Sequence, residues 1–378
     1  MNAPESERLT RAALSRLGEP GDLRLLSLVD EFGAAGLYQL LVEERDPEGL
    51  LTDVAARLAA VNPTRELDQA ARLGLRFVIP GDAEWPSQLG DLAGCAPLHE
   101  RGGTPIGLWV KGPLRLCDLD RSLAIVGSRA ATSYGDSVAG EIAAVAALAG
   151  FSVISGAAVG IDVAAHRGAI SMDAPTVAVL ACGADRVYPS AHRSLLDHIA
   201  QTGAVVSEAP PGCAPHRIRF LARNRVIAAL ARGTVVVEAA TRSGALNTAN
   251  WAGRLNRQLM GVPGPVTSVS SAGVHEQIRL GAMTLVTSGA DVLEMVGESG
   301  QHLVEAPRGH TTSRDSLTTR QQQVLDAVPV SSRATVDSIA RVAGLGMLEV
   351  RSSLARLEVD GLVDGGQAGW RLTALAHA

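Results

Sequence analysis

Residues 217–230 read RIRFLARNRVIAAL, and Arg217, Arg219, Arg223, Asn224 and Arg225 crowd the first half of a run that ends in Val226-Ile227-Ala228-Ala229-Leu230. The apolar half belongs inside a protein, whereas the cationic half requires an anion. Arginine's planar fork meets a carboxylate or a phosphate through two parallel hydrogen bonds. On a helix advancing ~100° per residue, Arg219, Phe220 and Arg223 share a side with Val226, Ile227 and Leu230, so a buried stripe turns cationic in its first turn. Arginine at that end opposes the helix dipole by about 0.3 to 1 kcal/mol. The compensating charge is either a structural partner, Glu208 or Glu238, or a bound phosphate.

Two further stretches suit the same guest. Gly127-Ser128-Arg129 follows an apolar run at 123–126, and Ser243-Gly244-Ala245-Leu246-Asn247-Thr248 follows one at 234–237. Each reads as a strand-to-helix turn, where glycine permits close backbone approach and the free N–H groups of the helix start favour an anion. Tight turns of this kind use glycine for their own geometry too. The arginines beside these two are therefore what points to phosphate.

The elements that must bring these stretches together show in the texture of the chain. From about 70 to 298, apolar strands alternate with alanine-rich helices, the pattern of a parallel sheet covered on both faces. Strands are expected at 123–126, 152–154, 176–180, 204–206, 234–237, 258–262 and 283–286. The carboxyl ends of an open parallel sheet share one rim, and ligands bind in the crevice there. Residues 1–65 read as a module of short amphipathic helices, punctuated by Gly-Glu-Pro, Asp-Pro and Asn-Pro. Residues 299–317 have linker composition, and 318–378 read as three helices followed by a glycine-rich hairpin, the order of a winged helix.

Composition sets bounds on function. A chain of 378 residues with a net charge of −5 is large enough for several domains and is not coated in positive charge, although a local basic groove remains compatible with an acidic whole. Lys111 is the sole lysine, so cationic work falls to arginine and a Walker-type lysine is excluded. Cys95, Cys117, Cys182 and Cys213 form no CxxC pair, which fits a reduced cytoplasmic protein without zinc. The start MNAPESERLT is no signal peptide, and no apolar run approaches the ~20 residues of a membrane span.

Other chemistries find no support. AIVGSRAATSYG lacks the GxGxxG spacing of a dinucleotide site, and no GxSxG elbow marks a serine hydrolase. Asp162 and His166, four apart, have no third ligand at a matching spacing; a helix cap and a hydrogen-bonded histidine are expected instead. No catalytic residue, metal or cofactor is therefore assigned. Tyr188-Pro189 is expected to shape a loop, and Trp370 to pack the hairpin.

The strings GSRAATSYG, SGAAVGIDVAAHRGAI, CGADRVYPSAH, GAVVSEAPPG, RFLARNRVIAAL, VVVEAATRSGALNTA and GVPGPVTSVSSAGVHEQIRLGA, in that order, resemble the DNA-processing protein A (DprA/Smf) family. The resemblance covers roughly 80–295 and includes GDAEWPSQLGDL and PIGLWVKG before the first strand. It implies an α/β fold with a Rossmann-like, mostly parallel core at 70–298, an N-terminal SAM-like or helix-hairpin module at 1–65 and a C-terminal winged helix at 318–378. It also implies a homodimer without catalytic activity that binds and protects single-stranded DNA and loads the recombinase RecA onto it during natural transformation.

The family's F-P-x-R-N-R motif falls on Phe220 to Arg225, with Leu221 in place of proline, and its S-G-s-L turn on Ser243 to Leu246. Ser128, Gly244 and Ala245, through backbone N–H groups, and Arg129, Arg223 and Arg225 are then expected to hold phosphates beside Gly127 and Ser243. Asn224 and Asn247 add hydrogen bonds, and Phe220 stacks a base. Six arginines balance six acids over 318–378, so a strong DNA contact is not expected there. Two rivals differ in class. A nucleotide-hydrolysing enzyme of the lysine-decarboxylase-like group would have a glutamate after its PGGxGT turn, which RSGALNTANWAG lacks. A transcription regulator would prefer a particular duplex.

Overall fold

The computed structural model describes residues 2–45, 49, 52, 54, 57–303 and 314–377. Only part of 49–61, the last stretch of the helical module expected over 1–65, and of the linker expected at 299–317 falls within these residues. The chain forms two compact units, 1–304 and 305–378.

In the larger unit, α1 (Glu5–Leu17), α2 (Leu23–Val42) and α3 (Pro63–Arg72) precede β1 (Leu75–Val78) and β2 (Leu108–Lys111). There follow β3 (Ser122–Val126), α4 (Ser133–Leu148), β4 (Ser152–Ser155), α5 (Ile161–Ile170), β5 (Thr176–Leu180), α6 (Arg193–Thr202) and β6 (Ala204–Ser207). Next come α7 (Arg217–Leu230), β7 (Gly233–Val236), α8 (Gly244–Arg254), β8 (Gln258–Gly261), α9 (Ala272–Arg279), β9 (Thr284–Leu285) and α10 (Gly289–Val296). The strands form a nine-stranded sheet in the order β1-β2-β6-β5-β4-β3-β7-β8-β9. From β6 to β9 every pairing is parallel, and β1 and β2 add an antiparallel edge.

All seven expected strands are present; β1 and β2 were not anticipated. Each is four residues long and stands outside the strand-helix alternation, so no periodic signal announces it. Tertiary packing holds them, with Trp109 fully buried and its ring stacked on Phe77 at 4.3 Å.

Two apolar layers cover the sheet. Val226, Ile227 and Leu230 of α7 join Trp251 of α8 against one face. Ala139, Ile142, Ala143 and Ala146 of α4 join Ile161 and Ala165 of α5 on the other. Alanine-rich helices approach a sheet closely because little side chain intervenes, which is how a chain with 3% aromatic residues fills its core.

The N-terminal helices belong to the same compact unit as the sheet. Arg8 forks onto Asp82, Arg16 pairs with Glu66 and donates to Pro211 O, and Arg11 donates to Ile106 O. By length and composition alone α2 passes for a helix that could cross a membrane, the one such helix among the described residues, and a helix of a packed bundle passes the same test. Gly33, at φ 70°, breaks its helical backbone, and Leu25, Leu28, Leu37 and Leu41 pack with Leu14 and Leu17 of α1.

The smaller unit has α11 (Thr319–Asp326), α12 (Val336–Ala343) and α13 (Met347–Val359), then an antiparallel hairpin of β10 (Val363–Gly366) and β11 (Gly369–Leu372). This is the element order of a winged helix. Trp370 exchanges backbone hydrogen bonds with Ala334 and packs partly buried on the apolar cluster, as expected for it. Arg320, Arg333, Arg341, Arg356 and Arg371 all sit in ion pairs with acids of the unit, which leaves little free charge for phosphate.

Candidate functional site

Strand β3 lies between β4 and β7, and the chain winds away from it in both directions. The carboxyl ends of β3 and β7 therefore part at the switch point of the sheet, where open α/β folds bind ligands. A groove of about 760 Å³ opens there, lined by the Ser128-Arg129 turn, the Arg242-Ser243-Gly244 turn and the groove face of α7. Residues far apart in sequence meet because one rim collects the end of every parallel strand.

The groove is cationic along its edge. Arg129, Arg217 and Arg242 are exposed and form no hydrogen bond or ion pair with any described residue. Arg129 rests over the Phe220 ring, 5.0 Å from its centroid, and Tyr188 lies 5.9 Å from the same ring. Helix dipoles add to this charge. Ser243 caps α8 by accepting from Ala245 N at 3.3 Å, while Gly244 is exposed; α7 starts at His216 with no side-chain cap and no acid in its first turn. The free N–H groups of both helix starts are available to an anion.

The arginine run divides by partner. Arg223 is 8% exposed; its Nη1 donates to Gly156 O at 2.8 Å and to Val179 O at 2.5 Å, and its Nε donates to Asn224. Its Nη2 makes no hydrogen bond to a described residue, and the side chain lines the groove. Burial pushes its pKa down to about 10, against the pull of Asp162. Arg225 is fully buried, forks onto Glu208 at 2.6 and 2.7 Å, and donates to Gly102 O and Gly103 O. It is a framework residue, which corrects the motif-based expectation that it holds phosphate. Arg219 faces the N-terminal helices and forks onto Glu19, so it does not share the groove side of Phe220 as the helical wheel suggested.

The two candidate asparagines are buried and already engaged. Asn224 lines the groove, yet its Nδ2 donates to Asn247 Oδ1 at 3.1 Å. Asn247 lies behind it and does not line the groove; its own Nδ2 is buried without a partner among the described residues. Both brace α7 against α8 rather than reaching outward as the sequence reading held. Glu238 accepts from Thr132 N at 3.0 Å and Thr132 Oγ1 at 2.6 Å, so of the two acids expected to answer the arginine run only Glu208 does, through Arg225, while Glu19 takes Arg219.

One carboxylate lines the groove among the described residues, that of Asp162. It does not cap its own helix as anticipated. It accepts from Gly156 N and Ala158 N, both at 3.2 Å, and so pins the loop before α5. Arg223 holds Gly156 O of the same loop, and His192 Nδ1 lies 2.9 Å from Ala157 O. The loop ends at Gly160, whose φ of 87° suits glycine and whose added Cβ would stand 2.3 Å from Ser128 O. The loop thereby sets the turn that presents Ser128 and Arg129. Burial pushes the Asp162 carboxyl above its usual range, outweighing the attraction of Arg223 and the two backbone hydrogen bonds. A tight ion pair would shift both groups the other way, and no salt bridge joins them.

Gly127 is needed for packing: an added Cβ would lie 2.6 Å from the Ile161 side chain. Sequence reading left Arg217 open and missed Arg242. Its position just before the Ser243 cap, where a side chain overhangs the helix start, was the available signal.

His166 sits beneath the rim, fully buried, with Nδ1 2.8 Å from Thr176 Oγ1. Burial pushes its pKa down to about 3 from 6.5. The unfolded chain takes up this proton first, so the histidine's contribution is complete above about 6.5 and is lost as pH falls toward about 3. Urea unfolding across that window should show stability falling more steeply in the wild type than in His166→Asn.

A family model described as DNA recombination-mediator protein A matches residues 76–297. A Mycobacterium tuberculosis protein bearing the DNA processing protein DprA name is 43% identical over 364 residues, 96% of this chain and 93% of its own length. Protein Smf of Escherichia coli is 36% identical, over 72% of this chain and 73% of its own. Among solved structures, DNA processing protein A of Streptococcus pneumoniae superposes with a TM-score of 0.63 at 29% identity, over 78% of this chain and 98% of that one. DNA processing protein A of Helicobacter pylori, described for its single-stranded DNA binding mode, superposes at 0.52 with 24% identity, over 60% and 96%, a likeness of fold.

Proposed function

Because the chain belongs to the DNA recombination-mediator protein A family, we propose that its groove binds the backbone of single-stranded DNA. The observation that carries this reading is the ring of Arg129, Arg217 and Arg242, exposed and without a hydrogen bond or ion pair to any described residue, around two helix starts at the switch point. Phosphates pair with the arginines and with the N–H groups near Ser128, Gly244 and Ala245, and Arg223 offers Nη2 from the floor. A flexible single strand can bend its phosphates onto a curved rim, whereas a duplex holds them at fixed spacing on a stiff rod. Phe220 and Tyr188 add aromatic surface beside the groove, which favours unpaired bases without reading their sequence.

The finer reading rests on the family resemblance: the protein acts as a homodimer that shields single strands and loads RecA onto them. The proposal assigns no bond-breaking step to the groove. Fluorescence anisotropy with oligo-dT and with a duplex of equal length tests it. Single strands are expected to bind at least tenfold tighter, with affinity falling as salt rises. Equal affinity for both forms, or no salt dependence, would refute the reading. Stimulation of RecA filament assembly on coated single strands tests the finer part separately.

A further inference from the structure

The loop after β8, residues 262–271, turns its large apolar side chains outward. Val266 and Val269 are 91% and 77% exposed, among the most exposed large apolar side chains of the described residues. Tyr134, in the first turn of α4, is 43% exposed and reaches the same loop. Fraying does not explain the exposure, because the loop is tied down along its length. Tyr134 Oη donates to Pro263 O at 2.6 Å, Gly264 N to His275 Nε2 at 3.2 Å, Ser268 N to Pro265 O at 2.9 Å and Ser270 Oγ to the buried Glu238 at 3.3 Å. Gly264 lets the loop close tightly: an added Cβ would stand 2.1 Å from Ser271 Oγ. Holding a tyrosine and two valines in water gains the fold nothing, whereas it suits an apolar partner.

This surface adjoins the groove. Helix α9, which follows the loop, packs on the end of β7: Gly273 N donates to Ala239 O at 2.8 Å, and the next residue, Ala240, lines the groove with Arg242. From Val262 to His275 the chain carries no acid to repel a passing backbone and no arginine to hold a phosphate. Resting on the reading of the groove as a DNA site, we propose that Tyr134, Val266 and Val269 form a second contact surface for the same strand, which takes the bases of nucleotides leaving the groove on the β8 side. The chemistry divides accordingly. Cations in the groove hold phosphates, while this platform meets the faces of unpaired bases, with the Tyr134 ring as the stacking element. A duplex keeps those faces in its own stack, so the platform adds to the preference for single strands.

The test is fluorescence anisotropy on the full chain with oligo-dT of about 20 nucleotides and an abasic strand of equal length. Wild type is compared with Tyr134→Ala, Tyr134→Phe, a double variant carrying Val266→Ser and Val269→Ser, and Arg129→Ala. Tyr134→Ala and the valine variant are expected to bind oligo-dT roughly three- to tenfold more weakly and the abasic strand like the wild type. Tyr134→Phe keeps the ring without its tether and is expected to bind both strands like the wild type, whereas Arg129→Ala weakens both. If Arg129→Ala weakens binding while the valine variant holds oligo-dT as tightly as the wild type, or loses both strands equally, the platform is overturned. A fall in Tyr134→Phe as deep as in Tyr134→Ala makes the tyrosine a tether only and removes it from the platform. If Arg129→Ala has no effect, the groove itself is not the DNA site and the underlying reading falls. Light scattering without DNA completes the test: a change of oligomeric state in the valine variant would make this surface a contact between copies of the chain instead.

Discussion

Replacing Arg129, Arg217 and Arg242 together by alanine is expected to lower affinity for oligo-dT on the order of a hundredfold while leaving thermal unfolding unchanged. The three side chains are exposed and make no hydrogen bond or ion pair with described residues, so their removal strands no buried group. Each contributes about 1 kcal/mol through a charge-assisted contact with phosphate, and three such losses compound to roughly that factor. The slope of log affinity against log salt should shrink by about 2, because single strands release ~0.7 counterions per phosphate neutralised. Salt titrations of wild type and triple variant at one temperature check both quantities. A variant with unchanged slope and affinity would place the DNA elsewhere on the molecule.

Arg225→Met is expected to act on stability instead, by about 3–5 kcal/mol, since it leaves Glu208 charged and unpaired in the interior. The pair is nearly water-free, with side-chain exposures of 0% and 10%, and Arg225 also ties Gly102 O and Gly103 O to α7. Combining it with Glu208→Leu removes the orphaned charge and should recover most of the loss. Urea unfolding of the single and double variants measures this directly. Below its unfolding transition, Arg225→Met should bind oligo-dT like the wild type. A well-folded variant that fails to bind would return Arg225 to the phosphate set to which the motif assigns it.

The contrast between these arginines marks where sequence reading stops. In RIRFLARNRV the residues at 217, 219, 223 and 225 look alike, and a helical wheel groups 219 with 220 and 223. Their fates depend on what stands opposite: solvent and groove for Arg217, Glu19 of the loop between α1 and α2 for Arg219, strand-end carbonyls for Arg223, Glu208 for Arg225. None of those partners lies within a helical turn, so no local spacing encodes the division. Asn224 and Asn247 show the same limit. Both are polar beside a rim, yet they hydrogen-bond to each other and brace α7 against α8.

The sequence by itself determined the parallel α/β core, its seven strand positions and the rim on which the glycine turns converge. Strand-helix alternation and turn chemistry are local, and each crossover helix returns the chain to the same edge, so the parallel strands end on one side. Tertiary structure alone decided the antiparallel edge of β1 and β2, the pairing of Arg225 with Glu208, and the placing of Asp162 among the arginines of the groove. These depend on long-range contacts whose desolvation and geometry exist only once the chain has closed on itself, and that closure turns like residues into a binding edge, a floor and a frame.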